Sequence, residues 1–314
     1  MTQAPELSKR TSMPRLFSCG KELDPSSQAI GELRESQSLL GDMNTLRARM
    51  DEDGYLLLRG LLNREDVLSA RRFAAQRLLE GGHIEPGTDL MDCIAKNGSA
   101  SRSQHDIAKG NEFLHKMLYS GPMTGFFEAF IAEPIKHYDF TWFRAIAPGH
   151  GTPPHCDVVY MGRGERERLY TAWCPIGDIT YDMGGLLVLE GSNNLSKLKD
   201  TYGQSDVDSF CSNRDGLAGR DHWGKGRSNG WLGQNPPQLR RSLGGLRWLT
   251  SEFRAGDALI FSMYTVHGSL DNRSNRIRLS SDSRYQPASK PADERWVGPN
   301  PIGHTDAGKR GKVC

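Results

Sequence analysis

Hydrophobic and polar positions change rhythm partway along this chain. Up to about residue 132, apolar residues recur at helical spacing. From Ile135 onward they gather in short runs rich in aromatic and β-branched residues, separated by Gly, Pro, Asn and Asp. Residues 1–40 are polar and aperiodic, and read as a leader that wraps the domain or stays partly disordered. Residues 44–53 predict a short helix ended by Gly54, and Tyr55-Leu56-Leu57-Leu58-Arg59-Gly60 predicts a strand. Asn63 is placed as an N-cap with Glu65 and Asp66 in the first turn. Val67, Leu68, Ala70, Phe73, Ala74, Leu78 and Leu79 then form the apolar face of a helix reaching about Glu80. Residues 83–110 read as loop, and 111–132 as helical with a break at Gly121-Pro122.

Strands are predicted at 136–146, 168–176, 184–192, 248–249, 257–261 and 276–285. Residues 195–246 interrupt this series. They are rich in Gly, Asn, Ser and Arg and hold Trp223 and Trp231, and so read as a lid insertion. From Pro287 the tail is polar. Helices therefore come first and strands later, an α+β order expected to fold as one domain over 1–314, with helices outside an antiparallel jelly roll.

Composition narrows the function classes. Forty basic residues against 38 acidic ones leave a net charge of +2, which gives no electrostatic case for nucleic acid or an anionic membrane. The six cysteines are scattered without a CxxC pair, as expected of an intracellular, reducing and hence cytoplasmic setting. No apolar run approaches the roughly 18 residues of a membrane span, and the N-terminus lacks the apolar core of a secretion signal.

The chemistry centres on Pro153-Pro154-His155-Cys156-Asp157. On a strand, His155 and Asp157 would project to one side and Cys156 to the other. An imidazole and a carboxylate so placed are two thirds of a 2-His-1-carboxylate iron site. His267, in the loop Thr265-Val266-His267-Gly268-Ser269, is the candidate third ligand. It can reach the first two once two sheets fold face to face.

Taken with Gly54-Tyr55, the run Gly184-Gly185-Leu186-Leu187-Val188-Leu189-Glu190-Gly191-Ser192, Gly256-Asp257 and His267-Gly268-Ser269, these residues resemble the phytanoyl-CoA dioxygenase family of iron(II)- and 2-oxoglutarate-dependent oxygenases. The resemblance spans roughly Asp51 to Pro287. Glu190 and Asn193 depart from the family's usual Pro and His, a change that touches turn packing and not the metal set. The resemblance implies a double-stranded β-helix (jelly roll, cupin-like) core. It also implies iron(II) held by His155, Asp157 and His267, with 2-oxoglutarate and O2 as co-substrates. The reaction is then hydroxylation of an unactivated C–H bond of a small molecule, with release of succinate and CO2. The family's arginine, eleven residues past the distal histidine, falls on Arg278. A planar guanidinium is suited to a carboxylate, and Ser280 shares its strand face; Arg276 is the competing position. Relatives that halogenate carry a small residue where this chain has Asp157, which argues for hydroxylation or a related oxidation such as desaturation.

Thr171 and Trp173 alternate on a neighbouring strand, where Thr171 is assigned to the co-substrate pocket and Trp173 to pocket or core. Arg144 is placed either in the cavity or in a buried ion pair. His150 is read as a loop residue, Ser269 as a hydrogen-bond partner near His267, and Cys156 as a small core residue. Arg214, Arg220, Lys225, Arg227, Arg240 and Arg241 in the insertion suit an anionic substrate or a CoA ester. Two other classes share these features: a cupin-like metal enzyme that does not use 2-oxoglutarate, and a non-catalytic sensor or binding protein on the same fold.

Overall fold

A computed structural model describes residues 13–99, 102–103, 105–212 and 229–313. The helical third forms as its caps direct. Asp42 accepts hydrogen bonds from the Asn44 and Thr45 amides at the start of the Met43–Asp53 helix. Asn63 does the same for Glu65 and Asp66 ahead of Arg64–Glu80. Two further helices, Glu112–Tyr119 and Pro122–Ile131, are divided at Gly121, with Pro122 in the first turn where its missing N–H costs nothing. No helix among the described residues is long and apolar enough to cross a membrane.

Two main sheets follow. The larger runs Tyr55–Leu58, Ala258–Ser262, Tyr170–Pro175, Arg278–Pro287, Trp142–Ile146 and Arg102–Ser103, with Ile135–His137 paired beside Arg278–Pro287. The smaller runs His267–Ser269, Leu186–Leu189, Trp248–Thr250 and Ile30–Glu32. Period-two alternation sorts the larger sheet cleanly. Leu56, Leu58, Ala172, Cys174, Ala258, Ile260 and Leu279 pack on the helices. Tyr55, Leu57, Trp173, Leu259 and Phe261 pack on Leu186, Val188 and Leu249 of the smaller sheet. The predicted mixture of helices and sheets is present, and the inner face of the larger sheet carries Thr171, Arg278, Ser280, Asp282 and Arg284.

Several local expectations change. Residues 13–40 contribute a two-stranded turn, Phe17–Ser18 with Lys21–Glu22, and Ile30–Glu32 joins the smaller sheet in parallel with Trp248–Thr250. The predicted 136–146 strand is two strands. His267 lies on a strand and not in a loop, because its segment pairs with Leu186–Leu189. The insertion contains Ser196–Asp200 and Pro236–Ser242 helices and a Ser209–Cys211 strand; Arg214, Arg220, Trp223, Lys225 and Arg227 lie outside the described residues. The polar tail is partly core. Arg310–Lys312 pairs in parallel with Ser209–Cys211. Arg295, fully buried, binds Asp293 at 2.6 Å and Asp208 at 2.6 Å.

Gly54 shows why a Gly-Tyr pair opens the Tyr55–Leu58 strand. Its φ is +80°, and a Cβ there would meet Asn193 Oδ1 at 2.6 Å and Thr265 Oγ1 at 2.8 Å. Its carbonyl accepts from Thr265 Oγ1 at 2.7 Å, and Asn193 Nδ2 donates to Asp51 O at 2.9 Å. Gly54→Ala is expected to destabilise the fold by about 1–3 kcal/mol, read as a lowered denaturant midpoint.

Candidate active site

The two predicted histidines and the carboxylate meet at one buried point between the sheets. His155 and His267 form an isolated bridge, each amide donating to the other's carbonyl at 2.9 Å. That bridge brings the imidazole centroids to 4.3 Å. Asp157 arrives differently from the expectation. His155-Cys156-Asp157 is not a regular strand: after His155 the chain turns, and Asp157 (φ −65°, ψ −24°) precedes the single helical turn Val158–Met161. The turn, not strand alternation, aims the carboxylate at the imidazoles. Cys156 goes the other way, into the core, with its thiol on Tyr264 O at 3.3 Å.

Hydrogen bonds fix which atoms converge. His155 Nδ1 lies 2.8 Å from Pro153 O, and His267 Nδ1 lies 3.0 Å from Thr265 O. A carbonyl can only accept, so both rings carry their proton on Nδ1 and present a bare Nε2. Burial keeps both rings neutral, pushing His155 down to about 3 with help from the neighbouring His267, and lowering His267 with help from Arg284 and Arg144. The two Nε2 atoms stand 3.7 and 3.6 Å from Asp157 Oδ1. One ligand atom from each residue falls within a 4.8 Å cluster. Two neutral imidazoles and one carboxylate oxygen on one side of a point are the donor set of a non-haem iron(II) centre.

The other carboxylate oxygen is already spoken for. Asp157 Oδ2 accepts from Thr171 Oγ1 at 2.6 Å and from Arg284 Nη2 at 2.6 Å. Thr171 and Arg284 are directly opposed in the register of their strands, which places both on one spot. Burial works against the Asp157 charge, yet Arg284, with the Thr171 hydrogen bond, outweighs it and holds the carboxyl well below the usual range. Thr171 was expected at the co-substrate; its hydroxyl is instead committed to Asp157.

Arg284 and Asp282 were missed by sequence reasoning. Arg284 stacks over Trp142 at 4.0 Å and also binds Asp282. Asp282 in turn accepts from Arg144 Nε at 3.1 Å. The signal was available: residues 278, 280, 282 and 284 alternate on one strand and must share a face.

Around this point lies a cavity whose walls include Arg144, Trp173, Phe261, Arg278, Asp282 and Arg284. Arg278 is fully buried, and its Nε and Nη1 have no hydrogen-bond partner among the described residues. Ser280 Oγ and Trp173 Nε1 are likewise buried and unpartnered. Burial, then the nearby positive charge of Arg144, pushes the Arg278 guanidinium down to about 9. Buried donors are ordinarily satisfied, so these atoms call for an acceptor, and a carboxylate fits them. Arg276 is instead half-exposed and paired with Asp92 at 3.2 Å. Ser269 Oγ accepts from the Thr152 amide at 2.8 Å and donates to Leu270 O at 3.0 Å, while the His267 ring is fixed by Thr265 O.

Comparison with known proteins agrees with this geometry. Residues 50–280 match the model of the phytanoyl-CoA dioxygenase family. The chain is 29% identical over 300 residues to the 1-deoxypentalenic acid 11-beta-hydroxylase of Streptomyces exfoliatus, spanning 90% of this chain and 95% of the relative. Two solved structures share the fold. One is SnoK, a non-heme alpha ketoglutarate dependent carbocyclase from nogalamycin biosynthesis, with TM-score 0.56 and 16% identity over 90% of this chain and 96% of that one. The other is the epimerase SnoN in complex with Fe3+, alpha ketoglutarate and nogalamycin RO, with TM-score 0.52 and 17% identity over 82% and 87%. The chain thus belongs to the phytanoyl-CoA dioxygenase family, and is an iron- and 2-oxoglutarate-dependent hydroxylase.

Proposed function

We propose that His155 Nε2, His267 Nε2 and Asp157 Oδ1 hold iron(II), and that Arg278 and Ser280 take the distal carboxylate of 2-oxoglutarate. The observation that carries this reading is the meeting, in one cavity, of three convergent ligand atoms with buried donors that lack partners. Trp173 Nε1 is a further donor to the co-substrate on the same ground. Thr171 and Arg284 are positioning residues: by occupying Oδ2 they leave Asp157 a single oxygen for the metal. When bound, iron and 2-oxoglutarate together supply the oxidant for an unactivated C–H bond, with O2 consumed and succinate and CO2 released. The chain's own share is to fix the donor atoms, hold the co-substrate carboxylate and keep water from the buried point. With Asp157 present, hydroxylation is the outcome favoured over halogenation.

The two sheets are read as a double-stranded β-helix within one domain. The substrate is a small organic molecule, and the acid in the name of the Streptomyces relative supports an anionic one over a neutral one. Free Cys19, Cys93, Cys156 and Cys174 fit a reducing, cytoplasmic location.

The test compares wild type with Asp157→Ala. Wild-type protein is expected to bind iron(II) and to convert 2-oxoglutarate to succinate slowly even without substrate; the variant should lose both. A wild type that binds no iron, or a variant that turns over 2-oxoglutarate equally well, sinks the reading.

A further inference from the structure

The charges around the cavity do not balance. Among the described residues, three guanidiniums, Arg144, Arg278 and Arg284, face two carboxylates, Asp157 and Asp282. Iron(II) and dianionic 2-oxoglutarate cancel one another, so the proposed occupants leave that single positive charge in place. A guanidinium partly shielded from water and short of a matched carboxylate attracts a counter-ion.

The excess falls to Arg144. Arg284 is fully buried between Asp157 and Asp282, and Arg278 lies deep with its donors turned toward the co-substrate position. Arg144 has a side chain 27% exposed, so it reaches both cavity and solvent. Its hold on Asp282 is loose: Nε at 3.1 Å and Nη2 at 3.4 Å, on a carboxylate that Arg284 grips more closely. It also sits directly across the strand pair from Ser280, beside the proposed co-substrate.

We propose that Arg144 anchors a single carboxylate on the substrate, so that the enzyme acts on free monocarboxylic acids and not on their coenzyme A thioesters. The inference rests on the reading of the site given above and adds to it the substrate class and the residue that selects it. One unmatched charge suits one carboxylate. A thioester surrenders that carboxylate and carries several phosphate charges in exchange, for which this cavity offers no further cation among the described residues. The guanidinium is also suited to the task, because its planar donors match a carboxylate and can turn from Asp282 without losing it altogether.

The experiment uses polycyclic and medium-chain monocarboxylic acids, each paired with its methyl ester and coenzyme A thioester. Binding to the full chain is read as a thermal shift with manganese(II) and 2-oxoglutarate under anaerobic conditions, and turnover as substrate-stimulated succinate release with iron. At least one acid is expected to bind and stimulate, with its ester and thioester at least tenfold weaker. Arg144→Gln should weaken that acid about 10- to 100-fold and erase its advantage over the ester, while 2-oxoglutarate affinity stays within about twofold. Arg144→Lys should restore part of the acid preference. The proposal is overturned if no acid binds, if esters or thioesters match the acids, or if Arg144→Gln weakens 2-oxoglutarate instead. Failure of the iron and 2-oxoglutarate reading looks different: no succinate forms with or without any acid, whatever the thermal shifts show.

Discussion

Arg284→Met is expected to cost the metal-free protein about 3–5 kcal/mol of stability, because it strands Asp157 and Asp282 as buried carboxylates without their shared cation. Both are about 2% exposed, and each is bound by Arg284. Methionine keeps much of the packing against Trp142, so the loss reports charge more than volume. A divalent metal should recover part of the deficit by neutralising Asp157. The metal-induced rise in melting temperature is therefore expected to be larger in the variant than in wild type. Activity should still fall about 10- to 100-fold, since Oδ2 is left to Thr171 alone and the carboxylate is no longer held to one geometry. Thermal unfolding with and without manganese(II), beside succinate release, separates these effects. Unchanged stability in the metal-free variant would show that Arg284 is not what balances the two carboxylates.

Arg278→Met is expected to move stability the opposite way. Wild-type Arg278 is a buried cation whose Nε and Nη1 find no acceptor among the described residues, and Arg144 adds to the repulsion. Replacing a poorly compensated buried charge with an apolar side chain of similar length is commonly neutral or stabilising by about 1–4 kcal/mol. The ligand-free variant should therefore melt at or above the wild-type temperature. Affinity for 2-oxoglutarate should fall by about 2–5 kcal/mol, roughly 30- to 5,000-fold, since the co-substrate's carboxylate loses a buried, charge-assisted partner. The measurement is the 2-oxoglutarate-dependent thermal shift of the metal-loaded protein. A variant that is destabilised without ligand, yet binds 2-oxoglutarate normally, would make Arg278 a structural residue.

The contrast between these two arginines also explains what could be read from sequence. Arg278 was legible because it stands eleven residues past His267, where the resemblance puts an arginine, and shares a strand face with Ser280; Leu279 beside it faces the helices and marks the inner face. Beyond Ser280 that marking vanishes. Ser281 and Ser283 point to the helix side yet are polar and buried, satisfied by Trp142 O at 2.7 Å and the Tyr119 hydroxyl at 3.2 Å. With polar residues on both faces, hydrophobicity no longer reports which side is inside, and Asp282 and Arg284 were passed over. The local form of the ligand stretch was obscured for a different reason. Val158-Val159-Tyr160 favours a strand by propensity, but contacts distant in sequence impose a helical turn. Among those contacts, the Val158 amide donates to Met263 O, and the Tyr160 ring stands edge-on to His155 at 5.4 Å. The convergence of His155, Asp157 and His267 survived the mistaken strand because it does not depend on how each residue arrives.

The pairing of Arg310–Lys312 with Ser209–Cys211, and the burial of Arg295 among Asp206, Asp208 and Asp293, set the minimum length of chain that can be excised. The family match stops at residue 280, inside the Arg278–Pro287 strand. A fragment cut there would retain all three proposed metal ligands and the 2-oxoglutarate arginine, yet leave behind the guanidinium that steadies Asp157. Cut a little later, at the end of the strand, it would recover Arg284 but strip Arg295 and His304 from Asp208 and leave Asp206 to Arg163. The portion of this chain that matches the family model is thus shorter than the portion that has to be made as one piece.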